Sequence, residues 1–151
     1  LTDLVGQAAP DFTLRDQDGK KVTLSELRGQ TVVLVFYPLD WSPGCTDQLN
    51  VYQDAMDDFR GHGAALYGIS VDSAFCHKAF RDHLGTDITL LADFEPKGEV
   101  ASSYGMYIEA RGHNERGFVV VDGEGRIKHW HKSPSPLEIP GANLILDALT
   151  G

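Results

Sequence analysis

The run Thr31-Val32-Val33-Leu34-Val35-Phe36-Tyr37 is apolar at nearly every position and stops at Pro38. β-Branched and aromatic residues fit extended backbone, and a strand that is apolar on both alternating faces needs cover above and below. The run therefore predicts a strand in the middle of a sheet. It leads into a short loop, Leu39-Asp40-Trp41-Ser42-Pro43-Gly44, and then to one cysteine, Cys45, where a helix is expected to begin. A helix start aims free N–H groups and the positive end of the helix dipole at that sulfur, which favours thiolate over thiol.

The rest of the pattern builds layers around this strand. Phe12-Thr13-Leu14 and Lys21-Val22-Thr23-Leu24 flank Asp18-Gly19, a hairpin signal, and residues 25–29 read as one helical turn stopped by Gly29. Leu49, Tyr52, Met56 and Phe59 recur at helical spacing and predict an amphipathic helix over 45–60, ended by Gly61. A buried strand is expected over 65–70, a helix over 73–84 with Ser73 as cap and Gly85 as stop, a strand over 90–92 and a short helix over 98–104. A second hairpin joins 118–121 to 126–130 through Asp122-Gly123-Glu124-Gly125, and a helix over 137–149 closes the chain, with Pro140 and Gly141 placed to delay its start. This order of elements describes an α/β sandwich whose sheet mixes parallel and antiparallel strands. With no internal repeat, low-complexity tract or long linker, residues 1–151 are expected to form a single domain.

Composition excludes several classes of function. A net charge of −9 disfavours nucleic acid and anionic membrane surfaces as partners, because both demand a basic face. No apolar run approaches the roughly 18 residues that span a bilayer, and Leu1-Thr2-Asp3-Leu4-Val5 carries no secretion signal. The two cysteines, Cys45 and Cys76, are too few for a disulfide scaffold, so a reducing, cytoplasmic home is expected. His62, His77, His83, His113, His129 and His131 show no metal-ligand spacing; His129 and His131 share one strand face, and Cys76 and His77 are adjacent and poorly placed to chelate together. Neither a metal nor another cofactor is expected.

A thiolate attacking a peroxide needs donors for the charge that develops on the departing oxygen. Ser42 supplies a hydroxyl from the same loop, Arg116 just ahead of the 118–121 strand is the candidate cation, and Pro38 and Pro43 stiffen the loop. Singly, each has a bland reading: Ser42 as a turn or cap residue, Arg116 as a surface charge, Cys45 as a small buried hydrophobe. Jointly, they describe a reactive sulfur.

These residues resemble the peroxiredoxins, the alkyl hydroperoxide reductase and thiol-specific antioxidant superfamily. The motif Pro-x-x-x-Thr/Ser-x-x-Cys is matched by Pro38, Ser42 and Cys45. The similarity runs from Gly6-Gln7-Ala8-Ala9-Pro10-Asp11-Phe12 through Val32–Pro38, Ser70-Val71-Asp72-Ser73, Tyr104-Gly105 and Arg116-Gly117-Phe118-Val119-Val120-Val121-Asp122 to Arg126-Ile127, most of the chain. Compact length and the lack of a long carboxyl-terminal arm resemble most the one-cysteine AhpE type. The resemblance implies a thioredoxin-like fold with an amino-terminal hairpin extension, and Cys45 as peroxidatic cysteine supported by Pro38, Ser42 and Arg116. Gly44, Gln48 and Trp41 support the same site. It further implies a hydrogen peroxide or alkyl peroxide substrate and a homodimer or higher homo-oligomer. Cys45 would become a sulfenic acid reduced by an external thiol: a thioredoxin-, glutaredoxin- or mycoredoxin-like protein, or a small thiol. Two departures stand out. Ser42 replaces the commoner Thr, and Gln48 stands where Glu often helps fix the arginine, which implies a weaker hold on Arg116. Asp47 next door points to another helix face and does not substitute.

Cys76 opens the second helix in Ser73-Ala74-Phe75-Cys76-His77 and is open to three readings: resolving cysteine, interface or packing thiol, or regulatory intersubunit disulfide. Two other functions compete. Trp41-Ser42-Pro43-Gly44-Cys45 echoes a thioredoxin-type redox loop, although Ser42 occupies the first nucleophile's place and bars dithiol exchange within it. The second is a non-enzymatic holdase or interaction module.

Overall fold

The computed structural model describes residues 4–150, so residues 1–3, part of the segment read above for a signal, lie outside it. In chain order its strands and helices are β1 (Thr13–Arg15), β2 (Lys21–Thr23), β3 (Thr31–Phe36), α1 (Pro43–Asp54), α2 (Met56–Gly61), β4 (Ala64–Ser70), α3 (Ala74–Leu84) and β5 (Thr89–Ala92). There follow α4 (Glu99–Ser103), β6 (Tyr107–Ile108), β7 (His113–Asn114), β8 (Gly117–Val121), β9 (Ile127–Lys132) and α5 (Ala142–Thr150). Seven strands form one sheet in the order β2-β1-β5-β4-β3-β8-β9. β3, β4 and β5 run parallel, and β8 pairs antiparallel with β3, so the sheet is mixed as expected. None of the described helices is long and apolar enough to cross a membrane.

β3 holds the centre because both of its faces are apolar. Val33, Leu34, Val35 and Phe36 have no exposed surface. Val33 and Val35 pack with Leu49, Tyr52 and Phe59 of α1 and α2, Phe80 of α3 and Ile145 of α5. Val32, Leu34 and Phe36 point the other way, towards Val100 and Ala101 of α4 and towards Tyr104 and Met106. Each fully buried side chain of this size contributes about 1.5–3 kcal/mol, so the strand is the strongest single anchor of the layers.

Three differences from the sequence reading have local causes. The predicted 45–60 helix divides at Ala55 (φ −100°, ψ 4°), whose N–H bonds to the Tyr52 carbonyl in a tighter turn; Leu49, Tyr52, Met56 and Phe59 nevertheless share one core. The last helix starts only at Ala142, after Pro140 and Gly141. The small β6–β7 sheet was not anticipated, since strands of two residues are too short to display an alternation.

Candidate active site

Pro38 ends β3, and the loop that follows turns on Trp41, the one non-glycine among the described residues with a left-handed backbone (φ 73°). Its ring rests on Phe80 and His83, with centroids 5.2 and 5.1 Å away. Ser42 then caps α1: its Oγ accepts the Cys45 N–H at 3.3 Å and its carbonyl accepts the Thr46 N–H at 3.0 Å. Pro43 occupies the first helical position, where its missing N–H costs nothing. Cys45 is the third helical residue and is fully buried among the core side chains of α1.

Sheet register brings in the cation. Phe36 of β3 faces Gly117 of β8, so Arg116 stands beside the end of β3, where the cysteine loop begins. Arg116 is 4% exposed and held by two acceptors: Nε donates to the Pro136 carbonyl at 2.7 Å, and Nη1 makes a short hydrogen bond to Gln48 Oε1. Gln48 is held in turn. Its Nε2 donates to the Tyr52 hydroxyl at 3.2 Å, which donates to the Pro140 carbonyl at 2.7 Å. Burial, only partly offset by Gln48 and Arg116, pushes Tyr52 up to about 12, so it remains a donor. Arg116 Nη2 has no hydrogen-bond partner among the described residues and lies over Gly44, 3.0 Å from where a Cβ would stand. A Cβ at 44 would push the guanidinium back by a few tenths of an ångström, so glycine there favours the close approach.

Cys76 has the same local frame and opposite surroundings. Ser73 caps α3 as Ser42 caps α1, with its Oγ accepting the Cys76 N–H at 3.2 Å. The Cys76 thiol, however, donates towards Asp72 Oδ1 at 3.8 Å. Burial first, then the charges of Asp40 and Asp72, push this thiol up to about 11. Both cysteines are free.

Thus Ser42, Gly44, Cys45, Gln48 and Arg116 converge at one helix start, while Pro38 ends the strand beneath it and Trp41 shapes its loop. Gln48, read as a weaker substitute for Glu, does accept from Arg116. Sequence reasoning missed the carbonyls of Pro136 and Pro140, which carry no side-chain signal. It also missed Asp40, buried beside His77 (Nδ1 to Oδ2, 2.6 Å). Asp40, Asp72 and His77 converge within 4.8 Å, close enough for a metal ion, but their converging atoms already pair with protein partners. His129 and His131 flank the Phe118 ring at 5.4 Å each; burial, and then His131, hold His129 below the usual imidazole range.

A mixed α/β sheet that presents a serine-capped helix, a buried cysteine and a tethered arginine defines a thiol-centred protein of thioredoxin-like architecture. The family model described as "AhpC/TSA family" matches residues 5–130. Alkyl hydroperoxide reductase E of Mycobacterium tuberculosis is 39% identical over 146 residues, 96% of this chain and 95% of that protein. Chloroplastic peroxiredoxin Q of Oryza sativa subsp. japonica is 49% identical over 88 residues, 58% of this chain, and the match spans only 41% of that relative's length. The crystal structure of peroxidoxin BcpB from Mycobacterium tuberculosis superposes with a TM-score of 0.86 at 30% identity, covering 97% of this chain and 96% of that one. The chain belongs to the AhpC/TSA family of peroxiredoxins.

Proposed function

We propose that this protein is a thiol-dependent peroxidase that reduces hydrogen peroxide and organic hydroperoxides at Cys45. The observation that carries the reading is the free Nη2 arm of Arg116 over Gly44, next to the cysteine at a serine-capped helix start. The Cys45 thiolate attacks one peroxide oxygen; the S–O bond forms as the O–O bond breaks, and sulfur gives up the electron pair. Negative charge grows on the departing oxygen, which takes a proton and leaves as water or alcohol. Donors aimed at that oxygen act where they count most, in the transition state. Ser42 and Arg116 are positioned for this role, and Pro38 keeps the strand from running on into the loop. Cys45 is fully buried, so peroxide reaches it only when the packing around the sulfur opens transiently.

Regeneration falls to an external thiol. One thiol condenses with the sulfenic acid, releasing water and leaving a mixed disulfide; a second displaces Cys45. Cys76 is ill suited to the first step, because attack needs a thiolate and its proton is held by burial and two carboxylates. In a Cys45→Ser background, alkylation of native Cys76 is expected to keep accelerating towards pH 11, whereas the unfolded chain levels off near the ordinary thiol value of about 8.5. A native profile that levels off with the unfolded one would return Cys76 to contention. The two free thiols suit a reducing compartment such as the cytoplasm. Assembly as a homodimer or higher homo-oligomer belongs to the same reading, supported by Phe75 and Phe94, 90% and 55% exposed along one groove.

One equivalent of peroxide, followed by sulfenate trapping and mass spectrometry, tests the reaction. The expected product carries one added oxygen on Cys45 and no Cys45–Cys76 disulfide; unmodified Cys45 sinks the proposal. Gln48→Leu releases the Nη1 arm of Arg116 and is expected to slow this oxidation by about tenfold, measured by stopped-flow fluorescence of Trp41.

A further inference from the structure

Asp40 contains no reacting atom, yet it is the most heavily tethered residue of the loop. It is 6% exposed. Its Oδ1 accepts the Tyr37 hydroxyl at 2.6 Å, its Oδ2 meets His77 Nδ1 at 2.6 Å, and its backbone N–H donates to Asp72 Oδ2 at 2.8 Å. Each tether is itself fixed. Asp72 Oδ2 also accepts the Ser70 hydroxyl at 2.5 Å, and the Cys76 thiol points at the other oxygen. His77 has no exposed surface, and its Nε2 faces the Leu91 carbonyl at 3.0 Å. A carbonyl can only accept, so Nε2 carries a proton, and the contact at Nδ1 holds a second proton shared with Asp40. Burial, then Asp40 itself, raise Tyr37 well above the usual phenol range and keep it a donor. The end of β3, the turn after β4 and α3 thus hold one carboxylate and one N–H, and β5 fixes His77 behind them.

The next residue is Trp41, with its left-handed φ of 73°. Bulky residues rarely adopt this conformation, and such strain persists only where the surroundings over-determine it. Ser42 and the start of α1 follow directly. We propose that Asp40 is a positioning residue: locked by His77 and Tyr37, it holds Trp41 in its left-handed turn and so sets Ser42 and Cys45 in register beneath Arg116. The inference rests on the peroxidase reading and extends it to residues that touch neither sulfur nor peroxide.

The test compares two reactions of the same sulfur. Peroxide oxidation needs the aligned donors; alkylation by iodoacetamide, read at Cys45 by mass spectrometry, does not. Asp40→Ala is expected to lower the ratio of peroxide rate to alkylation rate by about tenfold or more. Asp40→Asn should recover most of that loss, because its amide can donate to neutral His77 and its carbonyl can accept from Tyr37. Tyr37→Phe deletes one tether with little change in shape and should lower the ratio severalfold; it decides the matter if Asp40→Ala does not fold. An unchanged ratio in folded Asp40→Ala, or in Tyr37→Phe in its place, overturns the proposal. So does an Asp40→Asn protein as impaired as Asp40→Ala. Wild-type protein whose Cys45 alkylates but never oxidises would overturn the peroxidase reading, and this inference with it.

Discussion

Cys45→Ser is expected to bring peroxide consumption down to the level of buffer, a loss of at least about 10⁴-fold, while the circular dichroism spectrum stays native. The reasoning is chemical rather than structural. Serine keeps nearly the same volume in a fully buried position and can retain the backbone bond to the Ser42 cap. Its alkoxide is inaccessible near neutral pH, and oxygen cannot take up peroxide oxygen to give a stable, reducible product. Arg116 and Ser42 would then surround a site with no electron pair to donate. The measurement is peroxide loss in the presence of a generic thiol. Full activity in the serine variant would mean that Cys76, or no cysteine at all, carries the chemistry. Reduction of insulin disulfides without peroxide consumption by the wild type would favour the oxidoreductase reading instead.

Arg116→Met is the second large effect. Methionine fills much of the arginine's volume but donates nothing, so the charge on the departing oxygen loses its cation. Removing one such donor costs about 10²–10³ in rate, and that is the slowing expected for sulfenate formation by stopped-flow fluorescence. Stability should fall as well. The Pro136 carbonyl and Gln48 Oε1 lose their donor in a buried setting, at about 1–3 kcal/mol for each group left unsatisfied. A thermal melt separates the two effects, because the rate loss must persist at temperatures where the variant is fully folded. Arg116→Lys should recover only part of the rate. An ammonium is a single point and cannot hold Pro136 and Gln48 while also reaching over Gly44. A folded Arg116→Met protein with the wild-type rate would remove Arg116 from the site.

Most of the architecture was legible because hydrophobic period survives tertiary folding. The apolar run before Pro38 became the central strand, and Leu49, Tyr52, Met56 and Phe59 stayed on one face despite the break at Ala55. Ser42 and Cys45 were legible together because a cap and the N–H it binds are three residues apart. Of the partners of Arg116, Gln48 was legible through the family resemblance and the backbone carbonyl was not. The Pro136 carbonyl reaches Arg116 from a distant segment, the Pro140 carbonyl fixes Tyr52 behind Gln48, and such carbonyls leave no mark in a side-chain pattern. Asp40 and His77 were hidden for a related reason, since a loop aspartate and a helix histidine each read as solvated until the fold brings them together in the interior.

The two cysteines mark the division most sharply. Ser42-Pro43-Gly44-Cys45 and Ser73-Ala74-Phe75-Cys76 share one local plan, a serine cap followed at the third helical residue by a thiol. Sequence by itself determined that plan, since capping is local, and it determined the strand–loop–helix order that delivers Cys45 to the carboxyl end of an interior strand. It could not determine the charge each sulfur meets. The β3–β8 register carries Arg116 to the start of α1, while the turn after β4 sets Asp72 against Cys76. Coulomb interactions depend on distance through space, and only the tertiary structure sets that distance.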